Sequence, residues 1–190
     1  MLNKIKYLYL SLLLCLLMSD DNSRFNLIEN VSNDFYLEFD LDDVQIEKNN
    51  EFSKIKTDLK TGNTGVIGMP KLPSYSTLIM IDPTKSYRLE YNINDSYLID
   101  DIKIAPNQQL VNGLEKTYVE DIDDDFYNSK TKYPYNNVTV SDPLIMRDIV
   151  VLNLSVVPFN FIPDTRKLEV ITSFDIRLIE TDTHEDLRRR

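Results

Sequence analysis

Nucleophilic catalysis by Cys or Ser needs a base within hydrogen-bond reach, usually histidine. The sequence holds one histidine, His184, in a charged C-terminal stretch, and one cysteine, Cys15, in an apolar run near the N-terminus. A Cys/His enzyme is therefore nearly excluded within these residues. Zinc takes several Cys or His ligands, and this composition does not supply them, so no metal or cofactor is expected. "DIDDDF" at 121–126 begins like a calcium loop, but Phe126 stands where an EF-hand requires Gly and Lys132 where it requires a bidentate Glu. A solvated acidic loop is the better reading. A glycosidase would need two carboxylates about 5 to 10 Å apart in a cleft, and the acids here fall mainly on strand faces and in loops.

The basic residues are more suggestive. Lys130 and Lys132, in "NSKTKYP", interrupt an acidic stretch, although solvation alone accounts for most such lysines. Lys71 sits in the proline-framed "MPKLP". Arg147 and Asp148 stand at the mouth of an apolar strand, where a charged pair closes a sheet end or fixes a loop by hydrogen bonds; a ligand-contacting arginine is the minor alternative.

The elements that must position these residues are strands. Eleven Tyr and eight Phe with only four Gly suit half-buried strands, and 42% apolar content supports a globular core. "DFYLEFDLDDV" places Phe35, Leu37, Phe39 and Leu41 on one side and polar residues on the other, the period of a strand with one wet face. Phe52, Ile55 and Leu59 fit either one helical face or a strand ending at Gly62, and a turn at "TGNTG" is a safer reading than either. "VIGMPKLPSYSTLIMIDP" reads as a proline-rich loop or edge followed by a buried strand over Leu78 to Ile81. "SYRLEYNI" and "SYLIDDIKIAP" continue as a meander. Residues 107–142 form a long exposed connection with one short strand near Val138 to Val140, and long ordered loops are often functional. Val150, Leu152, Leu154 and Val156 then share a face, as do Leu168, Val170, Thr172, Phe174, Ile176 and Leu178. Pro163 and Asp164 suit a turn between the two runs. These predict an antiparallel hairpin pairing 147–158 with 166–180, its first strand central and covered on both sides.

The start, "MLNKIKYLYLSLLLCLLMSDD", has a basic lead, an apolar run from Tyr7 to Met18 and an abrupt polar end, the layout of a secretory signal. Residues 1–19 are assigned to it, 20–33 to a polar lead-in, 34–181 to one β domain and 182–190 to a charged tail. Removing Lys4 and Lys6 with the signal takes the formal charge from −10 to −12. An acidic surface disfavours nucleic acid and anionic membranes, and the mature form is expected to have no membrane contact. Four N-x-S/T sequons, at Asn30, Asn94, Asn137 and Asn153, carry no weight in a chain this rich in Asn and Ser.

Two blocks resemble a known family. "GMPKLPSYSTLIMI", followed at a distance by "YPYNNVTVSDPLIMRDIVVLNLSVVPFNFIPDTRKLEVITSFDIRL", is similar to the N-terminal propeptide of gingipain-type cysteine peptidases, over roughly residues 64–180. The resemblance implies an all-β, antiparallel β-sandwich-like prodomain. It would be exported with its enzyme, assist folding, and hold the peptidase domain of the same precursor latent until cut away. The catalytic Cys and His of the family belong to the domain that follows, so this stretch should not hydrolyse anything. A peptidase preferring a basic P1 residue would be blocked most simply by an exposed Lys or Arg, which makes Lys130 and Lys132 the first inhibitory candidates and Lys71 the second. The rival expectation is a β-sandwich binding or adhesion module of a secreted or cell-surface protein, and a reading frame continuing beyond codon 190 into a Cys/His peptidase would decide between them.

Overall fold

The run that begins at Leu168 forms one long strand, Lys167–Thr183. The computed structural model describes residues 24–31, 34–49, 51–56, 61–111, 113–114 and 119–189. The run assigned to an export signal, residues 1–19, lies outside them, as does Leu59. Among the described residues, twelve strands occur in the order β1 (Phe25–Val31), β2 (Asp34–Asp40), β3 (Ile46–Asn49), β4 (Phe52–Ile55), β5 (Gly62–Asn63), β6 (Pro73–Ile81), β7 (Lys85–Ile99), β8 (Val138–Val140), β9 (Leu144–Met146), β10 (Ile149–Val156), β11 (Phe159–Ile162) and β12 (Lys167–Thr183). A four-residue helix, α1 (Asp124–Tyr127), precedes β8, and a 3₁₀ turn, Leu187–Arg189, follows β12.

Two five-stranded antiparallel sheets face each other. In the first, β12 pairs with β7 along one edge, and with β11 and then β2 along the other, β1 extending the sheet beyond β2. In the second, β10 lies between β6 on one side and β8 and β9 on the other, and β5 pairs with β6. The small β3–β4 pair stands apart. Phe39 of the first sheet meets Tyr75 of the second at 5.5 Å between ring centroids and Phe174 of its own sheet at 5.9 Å. Leu37, Phe39, Leu152, Leu154, Phe159, Phe174 and Ile176 belong to one buried cluster. The all-β, sandwich-like architecture read from the sequence is the one observed.

The expected hairpin is corrected. Its turn lies at Pro163–Arg166, closed by a hydrogen bond from the Arg166 N–H to the Pro163 carbonyl, but the arm paired with β12 is β11, from Phe159↔Val170 to Ile162↔Lys167. Residues 149–156 belong to the other sheet. The reason is Pro158: it has no N–H to continue a ladder, and its carbonyl instead accepts from Ile171 at 2.9 Å in the first sheet. The chain turns the sandwich corner there, as strands that switch sheets do. Strand β10 is central as expected, yet only Val151 is buried on its outer face, while Ile149 is 44% exposed.

Four smaller differences have local causes. The sheet starts inside the segment read as a polar lead-in, because the Phe25 ring packs on Phe39 at 5.1 Å. The meander is absent: residues 85–99 make one strand on β12, and 73–81 lies in the opposite sheet. Leu78 to Ile81 is not wholly buried, since Ile79 and Ile81 face the core and Leu78 and Met80 face out. Thr172 leaves the core face to Ile171 at an irregularity in the β7–β12 register, where β12 changes partner from β11 to β2.

Candidate functional site

Although 107–142 was expected to be an exposed connection, it contains the buried residues Phe126, Tyr133, Asn137 and Val138. Each ties the loop to the sandwich by a different means. Gln108 closes the first excursion: its side-chain oxygen accepts from the Glu120 and Asp121 N–H groups at 2.8 and 2.9 Å, and its amide donates to the Asp121 carbonyl at 2.7 Å. Gly68 receives the chain next. Its carbonyl accepts from the Asp123 N–H at 3.1 Å, and with φ of +81° and an added Cβ only 3.1 Å from that nitrogen, the position requires glycine.

Asp123 is therefore placed to start α1, where its carboxylate accepts from the Phe126 N–H at 2.8 Å as an N-cap. Asp124 and Asp125 occupy the first turn, where negative charge meets unpaired backbone N–H groups. The acidic cluster thus has a structural use in building the helix, and among the described residues no group of three or more Asp, Glu, His or Cys is arranged to hold a metal ion. The other end of α1 is locked by Tyr127, whose hydroxyl donates to the Ile104 carbonyl at 2.7 Å. Burial pushes the Tyr127 phenol well above its usual range, so it remains a neutral donor.

Between the buried rings of Phe126 and Tyr133, 5.8 Å apart edge to face, the chain makes a short excursion. Tyr133 is fixed by reciprocal backbone bonds with Phe161, at 3.0 and 2.8 Å, and the Tyr133–Pro134 bond is cis. The tip is braced from within: the Ser129 N–H donates to the Phe126 carbonyl at 2.9 Å, and the Thr131 N–H to the Ser129 hydroxyl at 3.1 Å. Lys130 and Lys132 project from this tip, both exposed, and neither has an ion pair among the described residues. A short loop pinched at its base by two buried aromatics holds these two ammonium groups at low ordering cost.

The other candidates lie elsewhere. Lys71 is half-buried and engaged, its N–H donating to the Ala105 carbonyl at 2.8 Å. Arg147 and Asp148 form the two-residue connection between β9 and β10, with Arg147 at φ +57° and both side chains exposed. The Asp148 carbonyl accepts from the Arg188 guanidinium at 3.2 Å. His184 hydrogen-bonds the neighbouring Glu185 carbonyl through Nδ1, remote from the lysine tip in its contacts. Residues 182–190, read as a tail, begin as the end of β12, and Leu187 packs on the core.

The sequence reading missed Gly68, Gln108, Phe126 and Tyr133 as the parts that hold the loop. Only Gly68 and Tyr133 carried a signal, as members of the "GMPKLP" and "YPY" blocks. Asn137 was missed as well. Its amide serves the Val157 carbonyl at 2.8 Å and Asn160 at 3.1 Å, and Asn160 passes the chain of bonds to Glu169 at 2.8 Å, which fastens the end of the loop to the sandwich corner.

Residues 26–188 match the family model Propeptide_C25. Among curated proteins, gingipain R2 of Porphyromonas gingivalis, from two strains, is 23% identical over 149 residues, covering 76% of this chain and 20% of the relative. The chain thus spans about a fifth of the length of these relatives. Among solved structures, the complex of Porphyromonas gingivalis RgpB pro- and mature domains contains a chain with a TM-score of 0.75 at 21% identity, covering 85% of this chain and 86% of that one. A structure on the zymogenic latency of gingipain K from Porphyromonas gingivalis gives a TM-score of 0.69 at 15% identity, covering 87% and 97%. At these identities the structural likeness speaks for the fold.

Proposed function

Since the chain belongs to the Propeptide_C25 family, we propose that it is the propeptide of a gingipain-type cysteine peptidase precursor, exported through residues 1–19, and that it assists folding and keeps the peptidase domain latent until the link is cut. Lys130 and Lys132 act as a substrate-like plug for a peptidase that accepts a basic P1 residue. The observation that carries the assignment is the tip at 129–132, pinched between the buried rings of Phe126 and Tyr133 and bearing two exposed lysines without ion-pair partners among the described residues. A tethered inhibitor works at an effective concentration of about millimolar, so a modest intrinsic affinity suffices before cleavage and fails after it. A free-standing adhesion module leaves the family match and the braced loop unexplained.

Replacing Lys130 and Lys132 together with Ala should weaken inhibition of the peptidase domain in trans by about tenfold or more, because a charged side chain filling a specificity pocket is the kind of anchor that dominates an interface. Lys71→Ala should leave inhibition unchanged. The reverse pattern would move the plug to the "MPKLP" block, and no change in either would make the block steric and spread over the surface.

A further inference from the structure

The outer face of the second sheet carries a run of exposed apolar side chains. Register places Val151 of β10 between Met80 of β6 and Leu144 of β9, with Ile149 beside Met146 and Leu78 two residues along β6 from Met80. Leu78, Met80, Leu144, Met146 and Ile149 are 54, 65, 46, 49 and 44% exposed. Contiguous exposed apolar surface of this kind marks an interaction site more often than scattered residues do, and methionine side chains adapt readily to a partner.

The end of the described chain says which partner. The His184 N–H donates to the Thr84 carbonyl at 2.8 Å and the Leu187 N–H to the Pro83 carbonyl at 3.1 Å. The Arg188 guanidinium reaches the Asp148 carbonyl at 3.2 Å and binds Asp186 through Nη2 at 2.7 Å. These bonds deliver the chain to a groove lined by Met80, Asp148, Ile149 and Arg188, at the margin of the apolar face. We infer that this face, Leu78, Met80, Leu144, Met146 and Ile149 around the buried Val151, docks the peptidase domain joined to the chain beyond residue 190, an inference that rests on the propeptide reading. A domain leaving beside the face meets it at high effective concentration. Two copies of a chain with formal charge −10 are disfavoured partners. The same domain reaches the lysine tip along the edge formed by β8 and β9, because Tyr133 leads into β8 and β9 borders the apolar face; β10, which they flank, spans about 26 Å at about 3.3 Å per residue.

The test uses the peptidase domain from the same precursor, its active site capped by a small covalent inhibitor so that the plug cannot enter. Calorimetry should show Met80→Glu with Met146→Glu in the full chain weakening binding to the capped domain at least tenfold, while Asn92→Glu on exposed β7 changes it less than twofold. In the parent complex, Met80 and Met146 should oxidise in dilute peroxide several-fold more slowly than in the free chain. Unimpaired binding by the double variant, or unchanged oxidation rates, overturns the docking face while leaving the propeptide reading standing. Protection that rises with the concentration of the chain alone assigns the face to self-association and also overturns it. A parent chain that binds neither the capped nor the free domain overturns the propeptide reading, and the face with it.

Discussion

Strand β12 and the 107–142 connection are fixed in opposite ways. Along β12, Leu168, Val170, Ile171, Phe174, Ile176 and Leu178 are all buried at 1% exposure or less, so many equivalent contacts hold one regular element. The connection has no such periodicity, and a few unlike fastenings hold it: a glutamine clamp, a glycine carbonyl, an N-cap, two aromatic rings and a buried asparagine. Redundant packing suits a scaffold. Singular fastenings suit a loop that must present particular side chains in one conformation, since each can be set independently of a repeating pattern.

Substitutions should separate the two regimes. Phe174→Ala removes a fully buried ring that meets Phe39 at 5.9 Å and Tyr91 at 6.2 Å. It should cost about 3 to 5 kcal/mol, read as a lower denaturant midpoint at constant slope. A loss under about 1 kcal/mol would mean that the scaffold core is looser than its burial indicates. Asn137→Ala should cost about 1 to 3 kcal/mol by leaving buried acceptors unpaired. Because it loosens the end of the loop, it should also raise amide exchange at 128–136 more than in β12; equal effects in both regions would dissolve the distinction.

Gly68→Ala puts a side chain at φ +81° against the Asp123 nitrogen and should cost about 1 to 2 kcal/mol, the penalty of a left-handed L-residue. Inhibition should fall with it, as the helix start is displaced. Replacing Lys130 and Lys132 together should change stability by less than about 0.5 kcal/mol, although inhibition falls at least tenfold. A variant that instead unfolds would give the tip a structural role.

The smallest effects are expected in pH dependence, and they belong to the scaffold. A hydrogen bond to Glu180 raises the Lys85 ammonium above its ordinary pKa, so its contribution is complete below the unfolded-state value near 10.5 and is lost as pH rises through the higher folded value. Side-chain and backbone hydrogen bonds from Thr84 lower the Asp82 carboxyl below its ordinary 3.8, so its contribution is present above that value and is lost as pH falls through the lower folded one. Stability from these groups should stay level between about pH 5 and 9. A mid-range titration that disappears in Lys85→Met or Asp82→Asn would contradict these directions.

The same contrast explains what was legible before the structure. Period-2 runs such as "DFYLEFDL" and "KLEVITSFDIRL" announce strands because burial repeats with the pleat. Which runs pair is a tertiary matter, and Pro158 diverts one apparent arm of a hairpin into the other sheet. In the connection, Lys130 and Lys132 stood out by charge alone. Nothing local marked Gln108 or Phe126: the backbone N–H groups that Gln108 clamps lie 12 and 13 residues away, and Tyr133, whose ring closes the tip against Phe126, lies 7 away. The glycine in "GMPKLP" was visible as part of a motif, but its contact with Asp123, 55 residues on, was not.

The central claim is that the lysine tip occupies the active site of the peptidase domain. The most direct measurement is the inhibition constant of the parent chain against that domain, in the presence of increasing amounts of a small reversible active-site inhibitor with a basic P1 group. Competition is expected: the apparent constant of the parent chain should rise linearly with the concentration of the small inhibitor, while the weaker binding of the chain with Lys130 and Lys132 replaced by Ala should respond much less. An apparent constant for the parent that stays level as the site fills would place the lysine tip outside the active site.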